Sequence, residues 1–369
     1  MNLHLFTDSV FVDKIIPKCE EYGEGNIFIV FSPSIKLVKS TSIYHFRSYS
    51  ELKKSNINLR EVKKIFVHYL GGYAVDFILD NPKLGTYFWF FWGADGYSLK
   101  GLRENVLLPK TKRNAKVASS VFSKYRRMVI RLIKQMDARK RRALKHIDYC
   151  CTWVHGDYEL IKSTIPCELK FHFFSYLSAI DLFRSDVVSS DINYDDLHIM
   201  AGNSLNATNN HFELVDYIES SFNNVSRVVM PISYSGSETY KSRIKQYVAK
   251  SLLPMKYLES FMPIHEYLDI INNCDIVVFF HLRQQAANNS LSVLWMGKIL
   301  VMHPDSTLFR FFSEQGLSVV SYKELKSISD LKKYDRDFHD RKERNRVILN
   351  SLFSEEEIEK MYRFLFTHK

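Results

Sequence analysis

The feature that most constrains this chain is a repeated alternation. Short, almost unbroken apolar runs are separated by stretches with helical spacing, and the alternation occurs once in each half. Parallel strands covered on both faces read as continuous apolar runs, and each parallel pair needs a crossover, usually a helix. The first half offers strands at Leu3–Phe6, Asn26–Phe31, Lys64–Leu70, Tyr87–Trp92, Tyr149–Val154 and Lys170–Phe174. The second offers Leu197–Ala201, Arg227–Met230, Asp275–His281, Lys298–Met302 and Leu317–Val320. Between them, Ser185–Asp196 is polar and aperiodic and reads as a linker. The pattern predicts an α/β chain of two Rossmann-like domains: 1–185, carrying a basic helical segment at 110–145; 196–350; and a closing helix over 351–369.

With 369 residues, 46% hydrophobic and 25% charged, the chain can bury two substantial cores. No apolar run approaches the ~18 residues of a membrane span, and Met1–Phe6 lacks a charged-then-apolar leader, which predicts a cytoplasmic protein. Five cysteines without a CxxC pair fit a reducing compartment and read as core thiols. The net charge of +10 is concentrated: Lys110–Lys145 holds 14 Lys or Arg against the single acid Asp137. Such a segment is a solvated helix face, a nucleic-acid patch or an anchor on anionic lipid.

Small ligands of open parallel sheets sit beyond the carboxyl ends of the strands, where helix N-termini point. Two junctions in the second half stand out. After Leu197–Ala201 come Gly202, Asn203 and Ser204, then a polar run through Asn209, Asn210 and His211 into a helix with Leu214, Val215, Ile218 and Phe222 on one face. A glycine there permits a tight turn, and Asn210 with Glu213 resembles a capping pair. The helix start offers N–H groups to a diphosphate; the alternative is a loop that only caps. After Asp275–His281 come Arg283, Gln284 and Gln285, and the chain enters the next helix near Asn289. A guanidinium at a sheet mouth suits phosphate oxygens, although it can equally pair with a nearby acid. In the first half, Asp95 follows an apolar strand with glycines on both sides, as a general base at a cleft or as a turn aspartate; His68 is a weaker candidate.

Trp92-Gly93-Ala94-Asp95-Gly96-Tyr97, Gly202-Asn203-Ser204 with Asn209–His211, and Arg283-Gln284-Gln285 together resemble the motifs of glycosyltransferase family 56, in order from about His68 to Met302. The chain departs from that pattern at Ala286 and Asn288, where the family tends to glycine. The resemblance implies a GT-B fold and a dTDP-activated donor carrying 4-acetamido-4,6-dideoxygalactose. It also implies an acceptor glycan on undecaprenyl diphosphate, in common-antigen or O-antigen synthesis, at the cytoplasmic face of the bacterial inner membrane. GT-B enzymes hold the leaving diphosphate with helix termini and basic side chains, so no metal cofactor is expected. The Asp335-Arg336-Asp337 triplet, which matches a metal-dependent pattern, falls in a charged surface run.

On this basis Gly202, Asn203, Ser204, Asn209, Asn210, His211, Arg283, Gln284, Gln285 and Asn289 are expected to bind the donor, and Asp95 to reach the acceptor hydroxyl. Apolar residues from Ala118 to Met136 recur at helical spacing with basic residues elsewhere on the wheel. Arg126, Arg127, Arg139, Lys140, Arg141 and Arg142 are therefore expected to face anionic headgroups, while packing of the same helix into the first domain is the plainer account. A non-catalytic nucleic-acid-binding protein is the alternative. Against it, the aromatic residues lie in strand-like runs and are not interleaved with the basic ones.

Overall fold

The computed structural model describes residues 1–102, 105–117, 123–183 and 191–368. Its contacts divide the chain into two compact units: unit 1 comprises Met1–Arg103, Lys124–Ser178 and Glu355–Lys369, and unit 2 comprises Glu104–Ser123 and Ala179–Ser354.

Unit 1 is built on a seven-stranded sheet. Its strands are β1 (Asn2–Thr7), β2 (Asn26–Phe31), β3 (Tyr44–Phe46), β4 (Lys64–Val67), β5 (Thr86–Phe90), β6 (Tyr149–Cys151) and β7 (Lys170–His172). They lie in the order β3-β2-β1-β4-β5-β6-β7, with every pair parallel. Unit 2 has β8 (Leu197–Ala201), β9 (Val225–Pro231), β10 (Met255–Leu258), β11 (Ile276–Phe279), β12 (Ile299–Met302) and β13 (Val319–Ser321). Their order is β10-β9-β8-β11-β12-β13, again all parallel. The order reverses between β1 and β4 and between β8 and β11, the positions where loops diverge and open sheets bind ligands.

All eleven expected strands are present. The two additional ones, β3 and β10, are edge strands with a single hydrogen-bonded neighbour each. Met255-Lys256-Tyr257-Leu258 is only partly buried, so it never produces the unbroken apolar run that marks an interior strand. The cores form as the sequence pattern requires. Leu197, Ile199, Val228, Met230, Ile276, Val278, Ile299 and Val301 anchor unit 2, and Phe6, Phe28, Val30, Phe66, Phe88 and Phe90 anchor unit 1. The five cysteines are free thiols, four of them buried.

Two boundaries differ from expectation. The closing helix, Glu355–Thr367, belongs to unit 1 and packs Ile358, Met361, Tyr362 and Leu365 into that core. The basic segment is divided, because its helix Pro109–Val117 packs in unit 2 while the helix Ser123–Leu144 lies largely in unit 1. Chain proximity alone assigns both pieces to the first domain. The partners that claim Pro109–Val117, Asn210 and Glu213, are a hundred residues away. The first half of the expected linker, 185–190, lies outside the described residues.

Candidate active site

In unit 2 the site grows from the ends of the adjacent strands β8 and β11. Gly202 turns the chain at φ +73°, where an L side chain is strained, and a Cβ there would stand 2.9 Å from Asn209 Oδ1. Asn209 is the keystone of the loop. Its Oδ1 accepts the Asn203 N–H at 2.9 Å and the His281 Nε2–H at 2.8 Å, and its Nδ2 donates to the Ser204 and Asn206 carbonyls, both at 2.9 Å. His281 thus ties the β11 loop to the β8 loop; burial first, and Arg283 next, hold its imidazole far below the usual range and neutral. His211 donates Nε2–H to the Ser204 carbonyl at 3.0 Å, which leaves Nδ1 to accept from Tyr240, and burial lowers its pKa to about 4.

Asn209, Asn210 and His211 are completely buried. The expectation that they touch the donor is corrected: they shape the loop from behind. The capping pair is also corrected. Asn210 adopts the left-handed conformation without a side-chain cap, accepts the Leu108 N–H at 2.8 Å and donates to the Phe280 carbonyl at 2.7 Å. Glu213 instead caps Pro109–Val117 through the N–H groups of Lys110 and Thr111 and the Thr111 hydroxyl.

In front of this scaffold stand the accessible polar groups. Gln285 Nε2 donates to Asn203 Oδ1 at 2.9 Å, its Oε1 meets the Thr208 hydroxyl, and Arg283 donates to Thr208 Oγ1 at 3.3 Å. Two loops far apart in sequence thereby present one polar face, with Arg283, Gln285 and Asn289 half-buried and Asn203 buried at its base. Gln284 is buried, and its Oε1 lacks a hydrogen-bond partner among the described residues. Ser204 is buried behind Asn203 and accepts the Asn209 amide. Ala286, where the family tends to glycine, has φ +54°, a conformation that glycine adopts without strain, and the helix Ala287–Trp295 begins directly after it.

Asn203 and Asn289 also line a pocket of about 570 Å³, open to solvent, with Tyr234, Leu258, Phe261 and Tyr267. It occupies the carboxyl ends of β8, β9 and β10. No sequence signal marked Phe261, because the strand that precedes it is the partly exposed edge strand β10, and Tyr234 and Tyr267 join it only through the fold.

In unit 1, Asp95 is fully buried. Its Oδ2 accepts from Trp89 Nε1 at 2.8 Å and the Leu70 N–H at 3.1 Å, and its Oδ1 from the Trp92 N–H at 3.2 Å. The carbonyl of Asp95 accepts from Lys140 Nζ at 2.9 Å and Ser98 Oγ at 2.7 Å. Burial raises the Asp95 pKa, while the Trp89 and Leu70 hydrogen bonds and the Lys140 charge oppose the rise. A carboxylate whose oxygens are taken by the protein holds a turn; the expectation that it opens onto an acceptor is corrected in favour of the turn aspartate.

His68 is likewise internal. Asn26 donates both amide hydrogens to the Cys19 and Gly23 carbonyls, so its Oδ1 accepts from His4 Nε2 at 3.2 Å. His4 Nδ1 then accepts from His68 Nε2 at 3.1 Å, and His68 Nδ1 accepts from the Tyr176 hydroxyl at 2.7 Å. Each link fixes the tautomer of the next. Burial lowers the His4 pKa to about 3 and pushes His68 far down.

The basic run folds inward. Lys140 is buried against Asp95 and Ser98, Arg139 pairs with Asp76, and Arg141 pairs with Asp137 and donates to the Lys100 and Thr164 carbonyls. Of the six residues expected at headgroups, four have described side chains, and of these only Arg142 is exposed. Helical spacing shows which residues share a face but not which acids and carbonyls await them. Arg126 and Arg127 lie in the same helix, with side chains outside the described residues. Asp335, on the helix Ile328–Asp337, accepts from Tyr194 and pairs with Arg341 at the start of the next helix. Among the described residues no three His, Cys, Asp or Glu side chains are grouped to hold a metal ion, and no helix is long and apolar enough to cross a membrane.

Several solved structures share this architecture over essentially the whole chain. Sucrose-phosphate synthase from Thermosynechococcus elongatus matches over 100% of both chains at 12% identity and a TM-score of 0.64. HepE from Anabaena, solved in complex with UDP-glucose, matches over 100% of both at 10% identity and a TM-score of 0.60. An α,α-trehalose 6-phosphate synthase from Burkholderia multivorans covers 99% of this chain and 95% of its own at 10% identity and a TM-score of 0.59. These likenesses establish the GT-B fold. The family model of the 4-alpha-L-fucosyltransferases, glycosyl transferase group 56, matches residues 140–347, more than half of the chain and all of the β8 and β11 loops. With both observations in hand, this chain is a GT-B glycosyltransferase and belongs to glycosyltransferase family 56.

Proposed function

We propose that the protein transfers a 4-acetamido-4,6-dideoxyhexose, or a closely related 6-deoxy sugar, from a dTDP-sugar to an undecaprenyl-diphosphate-linked glycan during bacterial surface polysaccharide synthesis. Unit 2 holds the donor. The observation that carries this reading is the joining of the β8 and β11 loops through Asn203, Thr208, Arg283 and Gln285 at the point where strand order reverses, beside an aromatic-rimmed pocket. Arg283 supplies positive charge to the diphosphate, and the start of Ala287–Trp295 adds a favourable dipole. As the glycosidic bond breaks, charge grows on the leaving phosphate, and groups already aimed at it stabilise the transition state without reorganising. The pocket of Tyr234, Phe261 and Tyr267 takes the nucleoside, and Leu258 gives its wall an apolar surface for the thymine methyl. That a GT-B neighbour was solved with UDP-glucose is consistent with a nucleotide sugar as donor.

Unit 1 takes the acceptor in this reading, and Asp95 serves it as a positioning residue by fixing the turn 92–98. Work at an anionic membrane surface follows from the lipid-linked acceptor. The test is calorimetric titration with dTDP, UDP and GDP, followed by a panel of nucleotide sugars scored for transfer or hydrolysis. Preferential dTDP binding that Tyr234→Ala and Arg283→Ala both weaken supports the assignment. Equal binding of all three nucleotides, or none, overturns it.

A further inference from the structure

Unit 1 carries an apolar edge that donor binding does not use. The loops that follow the neighbouring strands β1 and β2 lie side by side, and two carboxylates hold them together. Asp8 accepts the N–H groups of Lys36, Leu37 and Val38 at 2.8 to 3.2 Å, and Asp13 accepts those of Lys39 and Ser40 at 2.9 to 3.1 Å. Five consecutive backbone donors are thus fixed from one side. The negative charge is spent inward, and the exposed side chains beside it include three apolar and three cationic ones. Val10, Phe11 and Leu37 are 55, 38 and 47% exposed, and Lys14, Lys36 and Lys39 are exposed around them. The Phe11 ring meets the edge of Trp92 at 5.4 Å, which extends the patch along the carboxyl ends of the strands to β5.

We propose that this lysine-flanked edge is the surface by which the protein seats on an anionic lipid bilayer. The proposal rests on the reading that the acceptor is lipid-linked, and it locates the contact away from the basic helix, where Arg139, Lys140 and Arg141 are already engaged by the protein. An apolar tip ringed by ammonium groups matches the headgroup boundary: the aliphatic and aromatic groups enter the acyl edge while the lysines meet lipid phosphates. Because the loops are braced by Asp8 and Asp13, little conformational freedom is lost on docking.

The test is co-sedimentation of the full chain with phosphatidylcholine vesicles, with and without phosphatidylglycerol. Wild type should bind the anionic vesicles only, and less as salt rises. Replacing Lys14, Lys36 and Lys39 by Ser should weaken partitioning about 100-fold, at roughly fivefold per lysine. Replacing Val10, Phe11 and Leu37 by Ser should lower binding while retaining the preference for anionic vesicles. Arg142→Ser should bind like wild type. Equal binding to both vesicle types, wild-type partitioning of either triple variant, loss of binding in Arg142→Ser, or tighter binding to a single-stranded oligonucleotide than to vesicles would each overturn it. Calorimetric dTDP binding, measured on the same variants in solution, separates the two ideas. Its absence from wild type refutes the donor assignment and not the docking surface, and its retention in variants that have lost the vesicles shows that their fold is intact.

Discussion

Mild acidification should destabilise this protein before its ordinary carboxylates titrate. Four histidines are essentially completely buried, two in each unit: His4 and His68, His211 and His281. Burial is the largest cause of the lowered pKa in all four, to about 3 for His4 and about 4 for His211. The unfolded chain has ordinary histidines near 6.5, so between that value and the folded values only the unfolded state takes up protons. Stability is therefore whole above about pH 7 and lost as pH falls through 6.5 towards 4. At pH 5.5 each such histidine costs about 1.4 kcal/mol, which is about 3 kcal/mol per unit against a typical ~5 to 15 for a whole domain. His172 and His303 are shifted by burial in the same direction and add to the loss. Asp95 and Asp275, raised by burial, act with opposite sign and recover part of it as they protonate. Urea unfolding followed by tryptophan fluorescence at pH 7.5 and 5.5, at constant ionic strength, should show the midpoint falling by about 1 M. His211→Gln keeps a donor for the Ser204 carbonyl and cannot titrate, so it should reduce the pH-dependent loss of unit 2 by up to about half. Equal midpoints at the two pH values, or an unchanged loss in the variant, would refute the reasoning.

Arg283→Ala should leave the fold intact and weaken dTDP binding by about 1.5 to 3 kcal/mol, the range for charge-assisted hydrogen bonds, as read by calorimetry. Asp95→Asn turns an amide N–H either against the Trp92 N–H or against both Trp89 Nε1–H and the Leu70 N–H, and leaves Lys140 without its nearby carboxylate; it should lower stability by about 2 to 4 kcal/mol with dTDP affinity unchanged, and a thermal midpoint equal to wild type would contradict this. Gly202→Ala meets both a left-handed φ and Asn209 Oδ1, so it should destabilise unit 2 by at least about 1 to 2 kcal/mol and weaken dTDP binding. Ala286→Gly removes strain of about the same size at a smaller cost in chain entropy, for a net gain near 0.5 kcal/mol in urea unfolding.

What could be read from the sequence was whatever short-range physics encodes. A parallel strand covered on both faces must be apolar throughout, so eleven strands, the two-sheet plan and the β8 and β11 loops are visible as runs and breaks. The motif residues from Gly202 to Gln285 also stand out, because turns and helix entries draw on a few residue types. Tertiary structure decided which of them keep an accessible polar group. Asn209, Asn210 and His211 look like donor contacts in a polar loop, yet packing turns them inward, where each hydrogen-bonding group must find a partner. Asp95 beside two glycines has the same local sequence whether it opens onto a cleft or closes on Trp89. Lys140 and Arg139 belong to a charge run until Asp95 and Asp76 are brought to them across 45 and 63 residues. The edge strands β3 and β10 lack a second covered face, and with it the pattern that would reveal them. Local composition determines what an element is, whereas the burial and partner of a polar side chain depend on segments far away in the chain, which only the folded molecule brings together.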